Sequence, residues 1–336
     1  MFIIKHKNIF LGLSAFFVII SLAGIFFFGI KTGIDFTGGS LIEVAYPAGS
    51  SVTPTISTAT TTPVVAVASP IKPDASSLKE TLKSAGFKDE MIQPTGTDGF
   101  IIRMKNLSDK EHKEILTALS FNGTKQVVEK RFTTIGPVMG NELRAKAIWA
   151  TMGVIFAIML FIAFAFRKVS LPVSSSKYGY AAVVALVHDV VIPAGAVAIL
   201  GHFYGFEVDI LFVTAILIIL GFSVHDTIVV FDRIRENLKN KLSTDFEFVV
   251  GKSLEQTFVR SLNTSMTVIL VLVMMVLLGP ASTYNFSLIL LIGVTMGTYS
   301  SIFLASPLLV VAEEWQRKGK PVVTAPVQTY GKKKKK

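Results

Sequence analysis

Long apolar stretches alternate with short polar ones along most of the chain, and one long polar region interrupts them near the start. The first apolar run, residues 9–30, follows the basic start Lys5, His6, Lys7. It is long enough to cross a hydrocarbon core, which takes about 20 helical residues. A secretory signal sequence begins in the same way, but its apolar part usually has about 7 to 15 residues and ends at a small-residue cleavage site. Here the run is longer and ends at Gly29-Ile30-Lys31 with no A-x-A pattern, so an uncleaved first span is expected. Five further runs follow the polar region: 148–166, 178–200, 208–230, 266–278 with its flanks, and 286–311.

The polar region, residues 31–147, has its own periodicities. An alternating strand is expected over 41–46, a helix over 76–85 stopped by Gly86, and a hairpin pairing 91–94 with 100–104 across Thr95-Gly96-Thr97-Asp98-Gly99. A second helix over 108–119 opens with the capping box Ser108-Asp109-Lys110-Glu111, and a last strand covers 126–132. The order β-α-β-β-α-β resembles a ferredoxin-like module. Residues 50–73, rich in Thr, Ser, Val, Ala and Pro, cannot bury a core and are expected to be a flexible insertion. The expected fold class is therefore a membrane all-α bundle of six transmembrane helices with an inserted α+β, ferredoxin-like extracytoplasmic domain. Its parts are 1–30, the start and first helix; 31–147, the domain; 148–312, five helices; and 313–336, a basic tail.

Composition agrees with a membrane protein: 51% of the 336 residues are hydrophobic and 17% charged, where soluble domains carry about a quarter charged. The net charge of +10 suggests nucleic acid only if taken as a single number, because the run Lys332 to Lys336 supplies half of it. Such a terminal block is expected to be a solvated tail, with contact to membrane lipid as the alternative and no nucleic-acid partner. The remaining basic residues give orientation. They fall at Lys5 and Lys7, at Arg167, Lys168 and Lys177, at Arg233 to Lys252, and at Arg317 to Lys320, whereas the loops 201–207 and 279–285 have none. With six spans all four basic segments lie on one side, so both ends are expected in the cytoplasm of a cell whose inner (cytoplasmic) membrane the chain crosses. The absence of cysteine removes disulfides, thiolate metal sites and cysteine nucleophiles together.

Charged groups inside spans are costly and mark functional sites by default. The third span carries His188-Asp189 and the fourth His225-Asp226. Asp226 and Arg233 are seven residues apart, about two turns on one helix face, so a polar seam can run from Asp226 to the basic end of that span. Burial away from water favours a protonated acid, which lets such a group hold and release a proton. The alternative is an Asp hydrogen-bonded between helices to fix their packing, and both readings stand for Asp226 and for Asp189. Arg260 is expected to open the fifth span, either as an anchor at the basic membrane edge or, with Ser261, Asn263, Thr264 and Ser265, as a cation near Asp226 that competes with a proton for it. Gly293, Gly297, Ser301 and Ala305 recur every four residues in the sixth span, a stripe that permits close helix packing.

Three further motifs stand in order: Gly33-Ile34-Asp35-Phe36-Thr37-Gly38-Gly39 after the first span, Ile135-Gly136-Pro137-Val138-Met139-Gly140-Asn141-Glu142-Leu143 before the second, and Asp226-Thr227-Ile228-Val229-Val230-Phe231-Asp232-Arg233-Ile234-Arg235-Glu236-Asn237 in the fourth. With Arg260-Ser261-Leu262-Asn263-Thr264-Ser265 they resemble the SecF family of the bacterial Sec export system, over nearly the whole chain. The resemblance implies an accessory subunit that works with SecD and the SecYEG channel as half of an RND-type membrane unit. It would use the proton gradient to help draw an exported, unfolded polypeptide across the membrane. The family's coupling acid falls on Asp226 and its arginine on Arg260, while His225 stands where the family usually has Asn, which leaves proton or sodium open as the driving ion. Asp35, Gly38, Gly39, Gly136 and Pro137 are assigned to joint geometry, since no phosphate-cradling G-x-x-x-x-G-K-[ST] occurs, and no cofactor or metal is expected.

Two other classes compete. An intramembrane aspartyl protease would pair Asp189 with Asp226, but the Gly-x-Gly-Asp arrangement of such enzymes is absent, so no enzyme is expected. A scaffold that binds exported chains or translocon partners would use its intramembrane charges for packing alone.

Overall fold

The computed structural model describes residues 2–47, 72–87, 90–166 and 175–318. The expected insertion, apart from Lys72 and Pro73, lies outside the described residues, as do Arg167, Lys168 and the tail lysines 332–336. Among the described residues six helices are long and apolar enough to cross a membrane. After a short helix α1 (Phe2–Lys5) they begin with α2 (Lys7–Phe28). The others are α6 (Pro137–Ala165), α7 (Ser175–Tyr204), α8 (Ile210–Lys239), α9 (Phe246–Leu278), and α10 (Ala281–Ser300), which continues through one π-helical turn, Ser301–Ala305, into α11 (Ser306–Lys318).

The helices outrun the apolar windows wherever polar residues extend them. Helix α6 starts well before residue 148 because Pro137, with its preset φ and missing N–H, suits the first helical position. Helix α9 has 33 residues and begins at Phe246, capped by the Asp245 carboxylate on Glu247 N. Arg260 sits near the middle of this helix, after a first half that carries Glu247, Lys252 and Glu255 and just before the uncharged half that runs to Leu278.

Packing follows the small residues. The Gly195 Cα in α7 abuts the backbone of Ser21 in α2, so that an added Cβ would overlap it. One turn on, a Cβ at Gly24 would stand 2.8 Å from Ile199. Ala181, Ala182 and Ala185 are all buried on α7, and α10 packs on α7, α8 and α9 together. Two apolar cores result, one centred on Tyr178, Phe166 and Phe231, the other on Ile216, Ile219, Leu220 and Val294. Large apolar side chains such as Trp149, Phe156 and Phe164 of α6 remain exposed, as lipid contact allows.

Between α2 and α6 stands a small module. A four-residue helix α3 (Ile34–Thr37) leads into β1 (Gly39–Ala45), α4 (Ala75–Ser84), β2 (Met91–Thr95), β3 (Gly99–Met104), α5 (Asp109–Leu119) and β4 (Val128–Ile135). The sheet order is β2-β3-β1-β4 and every neighbouring pair is antiparallel. Strand alternation puts Ile42, Val44, Phe100 and Ile102 under Leu78, Leu82, Ile115 and Leu119 of the two helices. Glu43, Ile101 and Arg103 fall on the opposite face by the same alternation. The capping box at Ser108 and Glu111 forms.

The contact between α2 and α7 generates a test. Gly195→Ala gains helix propensity yet overfills the crossing, so a net loss of about 1–3 kcal/mol is expected. Its thermal midpoint in detergent micelles should fall, whereas that of Gly153→Ala, whose added Cβ meets nothing, should not.

Candidate functional site

Three sets of polar groups break the apolar pattern, and the structure treats them differently. Asp189 is fully buried where α7, α8 and α10 meet. Its Oδ2 accepts hydrogen bonds from Ser223 Oγ at 2.5 Å and Ser300 Oγ at 2.7 Å, and its Oδ1 lies 2.9 Å from His188 Nδ1. The small-residue stripe makes this possible. A Cβ at Gly293 would overlap Ile219, and one at Gly297 would stand 3.1 Å from Ser223 Cβ, so α10 lies close enough to α8 for both serines to reach one carboxyl. Ser301 belongs to the same contact, donating to Gly297 O at 2.7 Å. It also begins the π-helical turn, an irregularity that often accompanies function.

Asp226 is also buried, on α8, but less well served. Its Oδ2 accepts one hydrogen bond, from Ser265 Oγ of α9 at 3.2 Å. The buried Ser261 hydroxyl faces the same carboxyl without reaching hydrogen-bond geometry. A buried carboxyl with so few partners is costly to keep charged. His225, next in sequence, points to the exposed side of α8.

Helix α9 divides its polar run between two faces. Ser261 and Ser265 turn inward toward Asp226, while Gln256, Arg260, Asn263, Thr264 and Thr267 are exposed. The exposed set recurs at helical spacing and forms one outward stripe. No ion pair joins Arg260 to Asp226 among the described residues, and these two expected partners are not brought together within this chain.

The third set lies where the module meets the helices. Gly38 has φ +75° and Gly39 φ +138°, conformations that side chains resist. A Cβ on Gly38 would stand 2.8 Å from Pro137 Cα, and one on Gly39 2.7 Å from Met104 O. Gly38 therefore lets α3 press on the Gly136-Pro137 start of α6, with Gly140 closing the contact from the other side, while Gly39 admits the close approach of β3. Gly136 itself has open space around it. Asp35 lies in α3, and its Oδ2 accepts from Ile210 N at 2.9 Å, beside the Asp209 cap on Phe212 N at 2.8 Å. It thus fastens the exit of α2 to the start of α8.

These motifs coincide with known families. The model described as "Protein export membrane protein SecD/SecF, C-terminal" matches residues 115–315, and that of the "SecD/SecF GG Motif" matches residues 23–46. The chain belongs to the SecD/SecF family. The SecF subunit of the protein translocase of Thermobaculum terrenum is 39% identical over 330 residues, covering 94% of both chains. The SecF subunit of Anaerolinea thermophila is 34% identical over 317 residues, covering 94% of this chain and 95% of its own. Among solved structures, SecDF from Thermus, described as a translocon-associated membrane protein, has 27% identity and a TM-score of 0.75 over 94% of this chain. A SecDF structure in a super-membrane-facing form has 28% identity and a TM-score of 0.60. This SecF-type chain spans 38% and 39% of those two longer chains.

Sequence reasoning singled out both acids of this SecD/SecF member but not Ser223 or Ser300, which stand 34 and 111 residues from Asp189. No local signal relates such positions. The unequal service of the two acids is testable. Asp189→Ala orphans two buried groups, Ser223 Oγ and His188 Nδ1, each costing about 1–3 kcal/mol on general grounds, since Ser300 Oγ keeps Gly297 O as an acceptor, whereas Asp226→Ala orphans one. Thermal unfolding in micelles is expected to show the larger loss for Asp189→Ala; equal losses would contradict the contrast.

Proposed function

We propose that this SecF-family chain works in the Sec export machinery of the cytoplasmic membrane, together with a SecD subunit and the SecYEG channel, and helps draw unfolded polypeptides across. Both termini lie in the cytoplasm, and the small module, a ferredoxin-like fold inserted between the first and second spans, lies outside. The split β-α-β strand order with both helices on one sheet face supports the ferredoxin-like reading. The basic loops support the orientation, and the relatives, named as translocase subunits, support the machinery. The domain limits follow the same reading: residues 1–30, 31–147 with the insertion at 50–73, 148–312 and 313–336.

The chain couples ion movement to transport through Asp226, with Arg260 and His225 beside it. One observation carries this: the outward polar stripe of α9. An arginine at the head of the apolar half of a membrane helix is stabilised by a polar partner or water. Among the described residues Arg260 pairs with no acid, so its partner in this reading is the companion subunit or a wet path between the two. Asp226 is buried against the inward side of α9, with a single hydrogen bond from Ser265 Oγ, and is free to take up a proton. The coupling ion in this reading is a proton: a hydroxyl such as Ser265 Oγ can donate to the charged acid and accept from the neutral one. The groups that permit motion are Asp35, Gly38, Gly39, Gly136 and Pro137 at the module joint. Gly293, Gly297 and Ser301 hold the helices together.

For Asp189 a second reading is favoured by its three partners: a fixed polar knot that sets the packing of α7, α8 and α10. The enzyme class finds no support in relatives named as translocase subunits.

The decisive comparison uses Asp226→Asn in cells lacking the native subunit. Gradient-driven export of a pulse-labelled preprotein is expected to fall to the level of the deleted strain, while co-purification with the partner subunit persists. Export at the native rate would remove the coupling role and leave the scaffold.

A further inference from the structure

The inward face of α9 carries a polar series of its own, apart from the outward stripe. Ser253, Thr257, Ser261 and Ser265 recur every four residues, and all four are buried. Two contacts set the series against α8: Ser265 Oγ donates to Asp226 Oδ2 at 3.2 Å, and Asn237 Nδ2 donates to Ser253 Oγ at 2.8 Å. It therefore begins at Asp226 and ends near the turn between α8 and α9. That turn is on the membrane face opposite the module, since the other end of α8 is the one tied to Asp35. At the last rung the Asn237 amide also donates to Gln256 Oε1 at 2.8 Å, and Gln256 is exposed.

Three features distinguish this seam from a packing contact. First, the Ser261 hydroxyl faces the Asp226 carboxyl, yet it is buried without a hydrogen-bond partner. An unpartnered buried hydroxyl costs about 1–3 kcal/mol, and alanine would fill nearly the same space. Second, the polar series runs one way only. Beyond Ser265 the inner side of α9 is apolar, with Val268, Ile269 and Leu272 in the apolar core, and Ser223, one turn back on α8, is engaged by Asp189. Third, the spacing suits transfer through single waters. Four helical residues rise about 6 Å, and two hydrogen bonds of about 2.8 Å meeting at one water oxygen span nearly the same length. Thr257 Oγ1 donates to Ser253 O at 3.0 Å and Ser253 Oγ to Val249 O at 2.7 Å, so both hydroxyl protons already point away from Asp226.

We propose that Ser265, Ser261, Thr257 and Ser253 relay a proton from Asp226 to the membrane face opposite the module, between α8 and α9 of this one chain. The inference rests on the proton-exchanging role given to Asp226. At each step the oxygen of a hydroxyl or of an intervening water takes the arriving proton and releases the one it held to the next oxygen. One O–H bond forms as another breaks, no rung keeps a charge, and the proton leaves Ser253 for water beside Gln256. Val230 and Ile234, fully buried on α8, stand across from the middle rungs in the register set by the two end contacts and keep the seam narrow. The other titratable group acting on Asp226 is His225, on the exposed side of α8. Arg260 is on the exposed side of α9, and the rungs themselves are uncharged. A gradient does work only when the acid fills from one face and empties to the other, and the seam supplies one of those two routes.

The test follows the carboxylic-acid band of Asp226, assigned by its loss in Asp226→Asn, in infrared spectra of the complex with its SecD subunit. Vesicles present one known face outward, and the pH is stepped on that face. Thr257→Val keeps the side-chain shape and removes the hydroxyl, whereas Thr257→Ser keeps the hydroxyl and removes a methyl group. For a step on the face opposite the module, Thr257→Val and Ser261→Ala are expected to slow the band's response about tenfold or more, and Thr257→Ser to respond at the native rate. For a step on the module face all are expected to respond as the unaltered protein does. A seam that serves packing alone predicts the reverse order, with valine tolerated and serine, which leaves a small void, the more damaging change. A native rate for Thr257→Val from the face opposite the module would overturn the relay. Equal slowing in Thr257→Val and Thr257→Ser would overturn it as well, by tracing the effect to packing. These outcomes leave the role of Asp226 standing, whereas a band that survives Asp226→Asn removes that role and the relay together.

Discussion

Every polar group that this chain carries to membrane depth must find a partner in protein or in trapped water, because the surrounding hydrocarbon offers none. That requirement shapes the bundle. Asp189 meets it inside the chain, and the meeting fixes three helices: Ser223 and Ser300 reach its carboxyl only because Gly293 and Gly297 bring α10 against α8. Arg260 meets no acid among the described residues, and the stripe to which it belongs faces outward. One acid thus closes the fold while one base points out of it, toward the side where the proposed second subunit would sit. Asp226 sits between these extremes, buried but held by a single long hydrogen bond.

The same contrast recurs at the membrane surface. Gly38 and Gly140 clamp the module to the start of α6 through backbone contacts that tolerate no side chain. The far edge of the module meets the α7–α8 turn through the ion pair of Arg103 with Glu207 and the hydrogen bond from Gln93 Nε2 to Gly205 O, beside a cavity. Both ends are tied to the α7–α8 turn, through Asp35 on one side and Glu207 on the other. That turn opens directly into α8, the helix that bears Asp226.

Much of this was legible in the sequence because it depended on local chemistry. Six apolar runs gave six membrane-length helices, and the alternation through Ile42, Val44, Phe100 and Ile102 located both the strands and the face that they bury. Ser108 and Glu111 announced the start of α5. Hydropathy stopped where the physics became non-local. It did not show that the helix of the fifth span reaches back through the polar run around Arg260 to Phe246. It could not say that Ser261 and Ser265 face inward while Arg260 and Asn263 face outward, because the orientation of α9 is set by its neighbours. Nor could it join Arg103 to Glu207, which come from distant parts of the chain and meet only when the module is seated. Nor could it show that Asp35 caps a helix that begins 175 residues later.

The central claim is that the two buried acids have different tasks: Asp189 is fixed by its three partners and Asp226 exchanges a proton. Infrared difference spectroscopy on the membrane-embedded complex, recorded as the pH on the module side is changed, reads the carbonyl stretch of a protonated carboxyl directly. The account expects a carboxylic-acid band that is lost in Asp226→Asn and retained in Asp189→Asn. A band that survives Asp226→Asn, or one that disappears only with Asp189→Asn, would contradict it.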